Sequence, residues 1–263
     1  MKLRSFLRII ETLLPPETAM EGDRIGLLIE SEVDFVTKVL LCYEVNSNAI
    51  KEASKLNCNC IISFHPLIYN PLTRITLDNK AAKYCTEIIQ NKLNLFVTHT
   101  NFDTFSEGTS KILSDRLGLT FQEFLIPDAK HHNFGMGVVS KAEKAISQIE
   151  LLEKVKEVCG SPLRFCDGKE KSIESIAIVG GSGSSFISQV IKKNIDAFIT
   201  ADLSYHKFHE AKHKLMLIDP GHYEMEQFVP YGMKKLFTSA PELSEIEFVA
   251  SKICTNPVKY YSA

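Results

Sequence analysis

No two of the seven cysteines stand at the Cys-x-x-Cys spacing of zinc ribbons and dithiol redox sites; only Cys58-Asn-Cys60 brings two sulfurs close along the chain. With no second pair to complete it, a thiolate metal site is not expected, and Cys42, Cys58, Cys60 and Cys85 read as small hydrophobes on buried segments. An odd, unpatterned set of thiols suits a reducing cytoplasm. Long apolar runs are missing too. Stretches such as residues 39–43 fall far short of the roughly 20 residues of a membrane helix, so no membrane partner is expected. The opening MKLRSFLRIIETLLPP interrupts its apolar residues with Arg8 and Glu11, which breaks a signal-peptide pattern and leaves an amphipathic first helix closed by Pro15 and Pro16. Neither sign of charge dominates: 30 Lys and Arg against 32 Asp and Glu give a net charge of −2 with no basic cluster, which argues against nucleic acid as a main partner. The Gly-x-Ser-x-Gly elbow of serine hydrolases, the Gly-Lys-Ser/Thr end of a P-loop and the Gly-x-Gly-x-x-Gly dinucleotide fingerprint are all absent.

What is present is a repeating order of elements. At 263 residues and 44% hydrophobic content, the chain suits one large or two small domains with a substantial core. Residues 39–45 form a strand-like run, 46–56 carry helical spacing through Ile50, Ala53 and Leu56, and 58–64 are a second buried strand. After a loop holding Pro66 and Pro71 come a helix over 79–92, a strand over 94–98 and a helix over 107–117. The pattern restarts with a strand at 175–179, a helix at 184–193, a strand at 195–200, a short helix at 203–212, a strand at 215–218 and a helix from about His222. CNCIISFHP and IDAFITADL both follow a Lys/Asn-rich helix end, and LNLFVTHTN and KLMLIDPGH both close a third strand. The fold class expected is α/β, with two similar α/β domains whose mostly parallel or mixed sheets are covered by helices. The halves are expected at 1–125 and 126–263. The second includes an inserted strand (135–139) and helix (144–159), and its C-terminal part, with an added strand at 246–250, is expected to pack back on the first half.

In open α/β sheets, ligands bind beyond the carboxyl ends of the strands. Polar clusters follow the strands at Ser63-Phe64-His65-Pro66, at 98–103, at Ala201-Asp202 with Tyr205-His206, and at 219–226. His222 and Glu226 fall one turn apart on one face of a helix start, where an imidazole and a carboxylate can grip a divalent ion. The plain alternative is a carboxylate favoured by the helix dipole with a solvated histidine beside it. Glu224 points elsewhere and is expected to be solvated. His65, before Pro66, is held extended at a strand tip. Asp103 lies beyond His99 in an expected loop, where a carboxylate serves as a turn residue or as a ligand. Convergence from several strands favours ligands, as metal-dependent hydrolysis requires. A His, Asp and Glu set without Cys suits Zn, Fe or Mn. The glycine-rich 180–185 is either an anion-binding turn or a tight strand-to-helix connection, and His131 and His132 read as solvated loop.

Taken in order, these clusters resemble the Nif-three-like family, whose bacterial members are called GTP cyclohydrolase I type 2 homologues. The resemblance covers residues 1 to about 125 and about 172 to 235. Its motifs are the acidic-Gly-Asp and Gly-Leu-Leu of 21–28, the Ser-x-His-Pro strand end with Pro-Leu-x-Arg-Ile-Thr after it, and Thr-His-Thr-Asn-x-Asp. They continue with Gly-Gly-Ser-Gly-Ser, Asp-x-Phe-Ile-Thr-x-Asp-Leu-x-Tyr-His and Asp-x-Gly-His-Tyr-x-x-Glu. It implies two similar α/β domains bringing a dinuclear metal site together, in toroidal homohexamers with the sites facing an inner cavity. It further implies metal ligands at His65, Asp103, His222 and Glu226, with one or two divalent transition-metal ions per chain, His99 beside them, and Asp202 and His206 lining the cavity. Phe64 departs from the pattern, since bacterial members commonly show histidine there and phenylalanine cannot coordinate; some eukaryotic relatives have an aromatic at this position. Glu21-Gly22-Asp23-Arg24 departs as well, where Trp and Asn are usual, and the chain has no Trp. The function expected is that of a metal-dependent hydrolase acting on a nucleotide-like substrate such as GTP, with His99 or His206 shuttling protons. The alternative is a non-enzymatic metal-binding oligomer that recognises a partner or ligand, and a third reading keeps the fold with a partly decayed site.

Overall fold

The apolar runs become strands and the amphipathic stretches between them become helices. The computed structural model describes residues 1–169 and 171–261. In chain order the elements are α1 (Leu3–Leu13), β1 (Gly26–Ile29), β2 (Lys38–Cys42), α2 (Ser47–Lys55), β3 (Cys60–Ser63), α3 (Lys80–Gln90), β4 (Asn94–Val97) and the single turn α4 (Thr100–Asp103). There follow α5 (Thr109–Arg116), β5 (Thr120–Pro127), β6 (Gly135–Ser147), α6 (Gln148–Cys159), β7 (Arg164–Cys166), β8 (Ser172–Ile178), α7 (Ile187–Lys192) and β9 (Ala197–Ile199). The chain continues through α8 (Tyr205–Ala211), β10 (Met216–Asp219), α9 (His222–Glu226), α10 (Val229–Ser239) and β11 (Glu247–Ala250). Two compact units result: Met1–Phe102 with Val229–Thr255, and Asp103–Phe228 with Asn256–Ala263. The sequence suggested a division near residue 125. The chain divides after Phe102, because α5 buries Leu113 and, just beyond its end, Leu117 in the same core as Leu151 and Val155 of α6. Among the described residues no helix is long and apolar enough to cross a membrane.

The first unit is built on a sheet of order β1-β4-β3-β2-β11, in which β11, β2, β3 and β4 run parallel and β1 is antiparallel to β4. Side chains alternate across it. Leu40, Cys42, Ile61 and Leu95 pack with Ile50 and Ala53 of α2 and with Cys85 and Ile88 of α3. Val39, Leu41 and Ile62 take the opposite face and are equally buried, so these strands read as unbroken apolar runs. Asn46 and Asn79 cap α2 and α3, each accepting backbone N–H bonds through its side-chain oxygen.

The second unit has a sheet of order β5-β6-β8-β9-β10-β7. Here β8, β9 and β10 are parallel, β7 is antiparallel to β10, and β5, β6 and β8 form an antiparallel meander. Ile176, Ile178, Ile199 and Ile218 face α5 and α6, while Ala177, Phe198 and Leu217 face Val190 of α7 and Ala211 of α8. The strand expected at 135–139 runs on to Ser147, and the helix expected from 144 starts at Gln148, because Ser147 and Glu150 form a capping box that fixes the start. The helix expected from 184 opens with a tight turn at Ser184–Phe186 before α7. The units repeat one plan: β2-α2-β3-α3-β4 with the preceding β1 antiparallel beside the third strand, and β8-α7-β9-α8-β10 with the preceding β7 placed likewise.

Candidate functional site

In the first unit, the chain just beyond β3 and β4 brings two imidazoles together. Ser63 donates its hydroxyl to the His65 carbonyl (2.8 Å), and the His65 N–H donates to the Tyr43 carbonyl (2.9 Å), which pins His65 at the strand tip. Its ring centre lies 4.5 Å from that of Tyr43 and 5.4 Å from that of His99. His99 presents Nδ1 to Asp23 at 2.8 Å, and Asp23 also accepts the Thr100 N–H at 3.0 Å. Burial works to raise the Asp23 carboxyl, but the hydrogen bonds from His99 and Thr100 and the charge of His99 outweigh it and hold the group below the usual carboxylate range. Asp23 belongs to a motif that carried the resemblance, yet its role was not legible there: it meets His99 only through folding. Phe64 is fully buried, its ring centre 5.1 Å from His65 and 6.4 Å from Phe102, and is part of the core.

In the second unit the tips of β8, β9 and β10 build a tighter cluster. His222 and Glu226 share one face of α9, with Nε2 and a carboxylate oxygen 3.1 Å apart. The other ring nitrogen, Nδ1, lies 2.6 Å from Asp202, which also accepts the Ser182 hydroxyl. Burial works to lower the His222 pKa, but Glu226 and Asp202 prevail and push it up to about 10. Asp202 responds in the opposite sense: burial raises it, and Ser182 and His222 bring it below its ordinary value. Gly181 closes the cluster. At φ +60° it adopts the left-handed conformation that favours glycine, and an added Cβ would stand 2.7 Å from Glu226 Oε1 and 3.1 Å from His222 Nε2. The glycine-rich turn therefore makes room for the histidine–carboxylate pair.

Other expected residues are placed as follows. Asp103 ends the helical turn α4, not a loop, and is half-buried. His206 lies exposed on α8 with its ring 5.6 Å from Tyr205, and it makes no hydrogen bond to a described residue. Glu224, expected in solvent, is only 6% exposed; its carboxylate accepts the Asn256 amide at 2.7 Å.

The model of the family described as Duf34/NIF3 (NGG1p interacting factor 3) matches residues 1–257. The chain belongs to the Duf34/NIF3 family. This NIF3 chain is 33% identical over 242 residues to a Lactococcus lactis protein named GTP cyclohydrolase 1 type 2 homolog, covering 90% of this chain and 91% of the relative. A Clostridium perfringens protein of the same name is 30% identical over 264 residues, covering 99% and 100%. Among solved structures, a Staphylococcus aureus hypothetical protein superposes with a TM-score of 0.89 at 28% identity over 99% of both chains. A Bacillus cereus protein related to NIF3 superposes with a TM-score of 0.90 at 22% identity, again over 99% of both, and shows the shared fold. The NIF3 fold is thus the mixed α/β, two-sheet architecture expected from the sequence.

Proposed function

We propose that this NIF3 protein holds a divalent transition metal through His222 and Glu226, with Asp103 and, from the first unit, His65 completing the ligand set that the family resemblance implies, and that it hydrolyses a nucleotide-like substrate there. The observation that carries the proposal is the His222–Glu226 pair at 3.1 Å with Asp202 on the far ring nitrogen. The donor chemistry fits. A carboxylate on one imidazole nitrogen fixes ring orientation and raises the basicity of the other, and the nitrogen and oxygen donors suit Zn, Fe or Mn. A bound ion supplies Lewis acidity toward a carbonyl or phosphoryl oxygen and toward water.

The chain's own residues do the rest. Asp202 orients His222, and Gly181 leaves space in front of the pair. His99, with Asp23 fixing its Nδ1, is the better-supported proton carrier, because a held imidazole keeps one tautomer. His206 is the second candidate for that role and has no such anchor. Buried Phe64, where bacterial relatives commonly carry histidine, favours one ion per chain over two. Seven cysteines, none in a disulfide, suit a cytoplasmic setting, and a homohexamer is the assembly the resemblance implies.

Elemental analysis of protein purified without a metal-binding tag, followed by turnover of a nucleotide panel before and after chelation, tests the proposal. Expected are bound transition metal and chelator-sensitive conversion of a nucleotide such as GTP, with product chromatography separating ring opening from phosphate release. Metal-replete protein that converts none of the panel but still binds a ligand would replace the hydrolase with a binding module. Light scattering that shows a monomer would remove the hexamer.

A further inference from the structure

The chain leaves the second unit at Phe228 and returns to it at Asn256. The returning segment fastens onto a carboxylate that lies between the two proposed ligands in sequence. Glu224 is 6% exposed; its Oε1 accepts the Asn256 side-chain amide at 2.7 Å, and the Tyr260 hydroxyl lies beside the same carboxylate at Gly221. Both lie against Gly221, where an added Cβ would collide with Glu224 and come within 2.8 Å of the Tyr260 oxygen. From the other side, Asp219 accepts the Gly221 N–H at 3.0 Å, and Ser161 donates to the Pro220 carbonyl at 2.6 Å.

A helix as short as α9, five residues long, has no stable orientation of its own and takes it from its anchors. Glu224 is two residues from each of His222 and Glu226 and about 200° round the helix from either, so it holds the back of the turn whose front carries the ligand pair. A buried carboxylate is costly unless its oxygens are bonded, and here the returning segment supplies a donor. We infer that Glu224, Asn256 and Tyr260 are positioning residues, a latch through which the returning segment sets the placement of His222 and Glu226 and hence metal affinity; this rests on the metal-site reading above.

The test uses the full chain, with Zn²⁺ and, separately, Mn²⁺ titrated by calorimetry. Tyr260→Phe and Asn256→Ala should each weaken binding about tenfold, the scale seen when an outer-shell partner is lost, in protein that circular dichroism shows to be folded. Asn256→Asp should weaken binding similarly, and adding Glu224→Gln to it, which exchanges donor and acceptor, should recover most of the loss; a merely structural contact would not give that rescue. Amide exchange over residues 222–226, followed in chelator, should quicken in Tyr260→Phe and Asn256→Ala. Unchanged affinity with unchanged exchange overturns the latch, and Tyr260→Phe alone decides if Asn256→Ala does not fold. Absence of metal binding by the unaltered chain overturns the metal-site reading instead, while exchange still reports whether the segment fastens the turn.

Discussion

The two units repeat one strand order and differ at the strand tips. In the first, the tips of β2, β3 and β4 carry rings: Tyr43, Phe64, His65 and His99 lie together, with one buried carboxylate, Asp23, holding one imidazole. In the second, the tips carry glycine turns and carboxylates, with one imidazole, His222, held between two of them. The strands have little freedom to vary, because both faces are buried; the repeated plan diverges in chemistry at the tips, even where, as at Phe64, a tip residue is buried.

Substitution at the proposed ligands tests that difference most severely. Glu226→Ala should weaken metal binding by more than the roughly 10–100-fold that loss of an outer-shell partner costs, whereas His65→Ala should cost less, as calorimetry would show. Equal losses would put the two units on the same footing. Next come the carboxylates that orient each histidine. Asp202→Ala should cost about 10–100-fold in metal affinity, and Asp23→Asn should leave affinity within a few-fold, since its effect falls on the fold and on His99.

That second variant has its own signature in stability. The Asp23 carboxyl is lowered in the folded state, so its contribution is fully present above the ordinary carboxylate pKa and is lost as pH falls below it. Asp23→Asn should therefore cost about 1–3 kcal/mol in urea denaturation at pH 7, and the penalty should shrink below about pH 4. A penalty unchanged at low pH would place the effect in packing.

The smallest expected effect separates both sites from thiol chemistry. Burial pushes the Cys42 and Cys159 thiols up to about 12, so iodoacetamide should modify exposed Cys254 first. Metal content should stay unchanged; its loss on that modification would bring a thiolate into the site.

Much of this architecture is legible in the residues, because strands buried on both faces cannot disguise themselves and apolar residues at helical spacing mark the helices between them. The strands that went unseen are peripheral: β1 is four residues at the edge of its sheet, β5 is mostly exposed and β7 is three residues long, so none shows a clear period. At the site, the spacing of His222 and Glu226 is visible because a helix turn is local. Asp202 reaching His222, Asp23 reaching His99 and Asn256 reaching Glu224 span 20, 76 and 32 residues, and tertiary contacts at such separations leave no local pattern. The burial of Glu224 was missed for that reason.

The path of the chain also bears on how the protein is made. Because β11 joins the first sheet only at residues 247–250, beside β2, a ribosome must finish the whole second unit's sheet before the first can gain its last strand. At about 5–20 residues per second, that leaves the outer edge of β2 without its partner for roughly 7–30 seconds after Phe102 is synthesised. Until β11 is made, the outer edge of β2 presents unpaired backbone groups that another strand could take, an exposure of the kind chaperones guard against.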